Sequence, residues 1–321
     1  MNFPVQPPDF LDYPSISRCD AQLFYANNQL QTWNAWIKPR GITMVYMVAI
    51  GGGGGGGAGY QRTAGSAGGG GGSGACSGVS RLLIPAHFLP DVCYVQVGIG
   101  GLGSAPQIGG TTATSAGSGS NSYVSLGHSS ATANLILAAN TGIPGGGSNG
   151  LSGTVGGAGL IPTIATVTPF ANFGIWSTNV GLVGVAGGAV AGAAGTAVTA
   201  WAALPLTPGA GGAGCTTTDF AGGAITPNAA VDWSFLANTT TYPLVSGGIG
   251  GSSTQASGNA GLEMLQPFYM TGGSGGASFN SGAAGYGGKG GLGCGGGGGG
   301  AGTTGGRGGD GGNGFVGIWA W

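Results

Sequence analysis

Short apolar runs alternate with tracts of glycine along this chain. Met44–Ile50 (MVYMVAI) is apolar throughout, rich in Val, Ile and Tyr, and stops at Gly51–Gly57. Its length and composition predict a strand buried on both faces. In VCYVQVGIGG, Cys93, Val95 and Val97 fall on one side while Tyr94 and Gln96 fall on the other. That is the two-residue period of a strand with one face in a core. NSYVSL and ANLILAA read as further short strands, and GFVGIWAW supplies one more at 314–321. No segment combines a 3.6-residue apolar period with capping residues. The predicted fold class is all-β.

Between the strands lie Gly51 to Gly57, a second tract that includes Gly69 and Gly72, and a long late region from Gly285 to Gly314 that includes Gly295, Gly300, Gly305 and Gly311. In GGRGGDGGNG only Arg307, Asp310 and Asn313 carry side chains, three residues apart. A polyproline-II-type helix has three residues per turn and no internal hydrogen bonds. Its backbone groups point outward and need partners when buried, and glycine edges let neighbours come close enough to supply them. This predicts ordered polyglycine-II-like segments packed between strands, with Lys289, Arg307, Asp310 and Asn313 on an outer, wetted edge. Collagen is excluded, because it needs glycine at one position in three with abundant proline. A flexible glycine linker is the competing reading, and the strands on either side of the tracts argue against it.

Composition sharpens the picture. Glycine supplies 80 of 321 residues and charged residues only 5%, against roughly a quarter in ordinary soluble domains. A net charge of −1 gives no general attraction to nucleic acid or anionic membrane. The apolar share of 41% is enough for a core, which must offset the large entropy cost of ordering glycine. The five cysteines (Cys19, Cys76, Cys93, Cys215, Cys294) show no metal-ligand spacing with His87 or His128, and read as small hydrophobes.

Motifs that suggest chemistry lack their context. GIGGLG (Gly98–Gly103) matches a dinucleotide loop, but no helix follows and the next acid after Asp91 is Asp219. G-x-S-x-G around Ser148 and Ser274 lacks the strand–turn–helix of a nucleophile elbow. Lys289 is followed by glycine, so the P-loop Ser/Thr is missing. The eight acids are not paired in sequence, although a carboxylate pair for glycoside cleavage can assemble in space. Leu182–Leu206 is uncharged and long enough to span a bilayer, yet its Ala, Gly and Thr favour a packed small-residue layer. No enzyme, cofactor, metal or membrane insertion is expected.

The chain resembles the glycine-rich domain of bacteriophage tail and adhesin proteins. The resemblance rests on Trp36, Pro39, Gly41, Val45 and Ile50 before the glycine run, on the strand Val95–Gly103, and on the closing Gly308–Trp319. It covers residues 30–321. It implies a small β-sandwich with glycine-helix excursions, a place in a virion, and host-surface binding. Two regions depart from the pattern: a long central insertion, about 140–285, and residues 1–29. The latter, with Pro4, Pro7, Pro8 and Pro14, reads as an extended docking arm in which Phe3, Pro7 and Phe10 are the candidate contacts. MNFPVQPPDF has neither the basic nor the apolar region of a secretory signal, which fits assembly in a cytoplasm. The expected function is a non-enzymatic tail-fibre, tail-tip or spike protein. It would form a homo-oligomer, contact other virion proteins and present loops to a host glycan or protein. A capsid-decorating or lattice-forming subunit is the alternative, followed by a secreted adhesin or ice-binding protein.

Overall fold

The computed structural model describes residues 19–26, 31–108, 115–148, 170, 173–200, 205–227, 244–251, 256–265 and 268–321. The chain is mostly β: helix among these residues amounts to little beyond single turns at Ala86–Phe88 and Thr132–Asn134. The longer strands are β1 (Asp20–Tyr25), β2 (Trp33–Ile37), β3 (Met44–Ile50), β4 (Val79–Pro85), β5 (Val92–Gln96), β6 (Ser122–Ser125), β7 (Leu135–Ala139) and β8 (Ile175–Asn179). Short pairings β9 (Val198–Thr199), β10 (Ile225–Thr226), β11 (Glu263–Leu265), β12 (Phe268–Met270), β13 (Phe279–Ala283) and β14 (Gly302–Thr304) follow, and β15 (Phe315–Ala320) ends the series.

Two antiparallel sheets carry the main core. One has the order β1-β15-β3-β4-β8 and the other β2-β5-β6-β7. Val45, Met47 and Ala49 of β3 meet Leu82 and Ile84 of β4, Val316 and Ile318 of β15, and Trp36, Cys93, Val95, Val124 and Leu137 from the other sheet. The alternate residues of β3, Val48 and Ile50, enter a second cluster with Cys76, Leu206, Met270, Cys294 and Phe315. β3 is therefore buried on both sides, as its unbroken apolar run predicts.

The glycine tracts continue the strands from one end of these sheets. β3 runs on into 51–60, β5 into 98–107 and β7 into 140–148, while 69–78, 115–121 and 305–314 lead into β4, β6 and β15. Along each tract the hydrogen-bond partner changes with a period of three. Gly53, Gly56 and Gly59 donate to Gly312, Gly309 and Gly306, while Gly54 and Gly57 donate to Ala75 and Gly72. Gly52 and Gly55 donate to Ser120 and Gly117. The carbonyls of the same tract accept from 101–104, 142–148 and 296–302 with the same spacing. Among the described residues, six segments thus enclose 51–60, and Gly51 through Gly59 are all buried. At the glycines of this tract no side chain fits: a Cβ on Gly53 would come within 3.0 Å of the Cys294 backbone, closer than real Cβ atoms approach.

The central region joins this body. Residues 175–179 form an edge strand of the larger sheet, and 182–188 pair antiparallel with 70–76. Thr207, Ala210 and Ala213, three apart, are buried, as are Thr271, Ser274 and Ala277. The described part of Leu182–Leu206 forms no helix, and no helix among the described residues is long and apolar enough to cross a membrane.

Candidate functional site

The two ends of the molecule differ. Asp20 of β1 lies opposite Ala320 of β15, and the Trp321 carbonyl accepts the Thr43 and Met44 amides. The described start of the chain and Trp321 therefore meet at the pole away from the glycine tracts. An open cleft of about 440 Å³ lies at this pole, lined by Ile37, Lys38, Arg40, Ile42, His87 and Val92 among others. Lys38 is fixed: its ammonium donates to the Leu89 carbonyl at 2.7 Å and pairs with the exposed Asp91 at 3.2 Å. Phe88 and Phe173, both exposed, stack beside it with centroids 4.8 Å apart.

The docking residues Phe3, Pro7 and Phe10 lie outside the described residues. Within the proposed arm, Asp20–Tyr25 is strand β1, paired along its length with β15. Residues 20–25 therefore belong to the fold rather than to a docking arm. Phe24 packs against the main core, which sequence reading missed because a mixed polar segment at a sheet edge gives little contrast.

The opposite pole is made of turns. The turn between 51–60 and 69–78 places Arg62 in a buried position, 6% exposed. Its guanidinium donates to the Cys215 sulfur at 2.6 Å and to the Asn280 side-chain oxygen at 2.9 Å. The Asp219 carboxylate accepts the Asn280 amide. Three turns distant in sequence are thereby fastened together. The only early signal was the rarity of charge in the chain, since a side chain retained where charge is scarce has a structural task.

The predicted glycines all sit in the hydrogen-bonded body and all are buried. Gly51 donates to Gly78, Gly57 to Gly72, Gly72 to Gly146, Gly300 to Gly285, Gly305 to Gln107 and Gly311 to Gly101, while Gly69 and Gly295 accept from Tyr60 and Gly273. Of the predicted edge, Lys289 is exposed and Arg307, Asp310 and Asn313 are half-buried. Arg307 pairs with Asp310. The Asp310 carboxylate also accepts the Gly103 amide at 2.8 Å, and the Asn313 side chain accepts the Gly100 amide at 3.0 Å. These side chains bond the neighbouring tract as well as facing water.

The cysteines are free, and Cys76, Cys93, Cys215 and Cys294 are buried. Burial pushes the thiols of Cys76 and Cys93 up to about 12, and that of Cys294 well above its usual value. Such thiols stay protonated and pack as small apolar groups. Among the described residues no three His, Cys, Asp or Glu side chains converge as metal ligands. No family model matches the chain, and no curated protein matches it in sequence.

Proposed function

We propose that this is a non-enzymatic structural protein of a phage-like virion, built as a rigid spacer in a tail fibre, tail tip or spike that presents its turns for host-surface attachment. In this reading the two sheets form a β-sandwich. The glycine tracts are polyglycine-II-type helices stacked side by side, each advancing about 3.1 Å per residue. The observation that carries the reading is the two-ended layout. The described start of the chain leaves from one pole, while the glycine tracts extend from the other end of the sheets to turns fastened by Arg62 and Asn280. An arm docking into other virion proteins at the first pole leaves the second facing outward. The resemblance to phage tail and adhesin glycine-rich domains points the same way. So do the scarce charge and small side chains, which suit close packing in a homo-oligomer.

The test is gold-labelled antibody staining of particles from the source sample, viewed by electron microscopy. Label confined to tail or spike tips is the expected result. Even label over the shell favours the capsid-decorating alternative, and particles without label refute a virion role. Deleting residues 1–18, which spares β1, is expected to abolish incorporation while the remaining protein keeps its thermal transition. Unchanged incorporation rules out the arm as the docking element.

A further inference from the structure

The face of the four-stranded sheet turned away from the main core is covered at β7, where Leu135 and Ala138 are buried with Tyr123 and Trp176 against them. Over β2 and β5 it carries aromatic rings, where outward positions of a half-covered antiparallel sheet are usually polar. Trp33 of β2, Tyr94 of β5 and Tyr123 of β6 all point to this side, opposite the core residues Trp36, Cys93, Val95 and Val124. Each is half-buried, and His128, from the turn between β6 and β7, is exposed beside them. The Trp33 ring lies nearly parallel to Tyr123, at 6.4 Å between centroids and 22°, and to His128, at 6.3 Å and 19°. Tyr94 meets His128 edge-on at 4.3 Å.

Hydrogen-bonding groups rim the rings. The Asn121 amide donates to the Tyr123 hydroxyl at 2.9 Å. Gln96 stands directly between Trp33 and Tyr123 in register and is anchored to the Gln31 carbonyl at 3.1 Å. None of the four strands contains Asp, Glu, Lys or Arg.

We infer that this face binds a neutral saccharide. A pyranose ring presents a flat face of C–H bonds that packs on an aromatic ring, and its edge of hydroxyls donates to and accepts from amides and phenols. Aromatic side chains supply that apolar area with little loss of conformational freedom and carry a polar tip for the rim. The match in charge is equally direct: an uncharged face offers nothing to a sulfated or sialylated chain, and nothing to offset desolvation of an ionic protein surface. The inference deepens the attachment reading by naming the receptor chemistry, and it rests on that reading for its biological setting.

The test uses the full chain against immobilised hexasaccharides of β-1,4-glucan, β-1,3-glucan and α-mannan, with a sulfated and a sialylated oligosaccharide as charged probes. Binding to at least one neutral probe is expected, with a change in tryptophan fluorescence and little dependence on salt. Trp33→Ala should weaken it roughly tenfold and Trp33→Phe less. His128→Ala, at an exposed turn that does not threaten folding, should weaken it severalfold, and Lys289→Ala should leave it unchanged. No binding to any neutral probe, a preference for the charged ones, or full binding by both Trp33→Ala and His128→Ala overturns the inference. Capture of a protein partner through these rings, without saccharide binding, overturns it too. The outcomes separate from those of gold labelling. Tip label without saccharide binding removes this site and leaves attachment standing, whereas saccharide binding without label on any particle does the reverse.

Discussion

Residues 51–60 and 305–314 are both glycine tracts attached to neighbouring strands, β3 and β15, yet one is nearly pure glycine and the other carries a side chain at every third position. Their surroundings account for the difference. Tract 51–60 donates to three antiparallel segments and accepts from three parallel ones, so each of its three edges meets backbone. Tract 305–314 is flanked by 53–59, 98–107, 287–293 and 294–300, and its remaining edge faces outward with Arg307, Asp310 and Asn313. Enclosure therefore sets composition. Where neighbours surround a tract it is nearly all glycine, and where one edge is open the side chains return at every third position.

The comparison breaks most easily at its enclosed half. Gly53→Ala or Gly56→Ala sets a methyl group against the backbone of Cys294 or Gly297. Neither neighbour can move without disturbing its own hydrogen bonds, so the expected loss is at least about 4 kcal/mol, read as insoluble protein or a collapsed thermal transition. A fully cooperative transition near the parental temperature in either variant would mean that the array is not closely packed around this tract.

The open edge should yield smaller effects. Asp310→Ala and Asn313→Ala each leave a glycine amide of tract 98–107 without its acceptor, an expected cost of about 1–3 kcal/mol by chemical denaturation. Lys289→Ala, at an exposed position, should fall within about 0.5 kcal/mol of the parent. An equal cost at all three positions would dissolve the distinction between bonding and solvated edge residues.

A separate effect concerns pH. Burial holds the Cys76 and Cys93 thiols up to about 12, above the value of about 8.5 for a free thiol. Both states are protonated below that value, so the thiols' stabilising contribution is fully present there. Between about 9 and 12 the unfolded chain ionises and the folded one does not, so stability falls as pH rises, by at most about 1.4 kcal/mol per pH unit for each thiol. Cys93→Ala should flatten part of this slope, and an unchanged slope would show that another group titrates there.

Much of the sheet structure was legible. Met44–Ile50 forms β3 over the predicted bounds, and the alternation around Cys93 and Val95 separates core from surface as read. The three-residue phase of 307, 310 and 313 was visible because charged groups stand out against glycine. In 205–213 and 271–277 the same phase is carried by Thr207, Ala210, Ala213, Thr271, Ser274 and Ala277, which differ too little from their neighbours to mark an edge. Their hydroxyls have a local role, as when Thr271 and Ser274 accept the Leu262 and Asn259 amides at 2.7 Å, but hydropathy does not record it. The Arg62 cluster was hidden for another reason, since its members come from three turns far apart in the chain.

The enclosure of 51–60 also orders events in time. This tract is synthesised long before two of the segments that surround it, 296–302 and 306–312. During translation its amides can find only water and the nearer partners, such as 69–78. Forming pairs so remote in sequence is slow. Completion of the body must therefore wait until 306–312 have been made, and a chain cut short before them has an innermost tract with no finished housing.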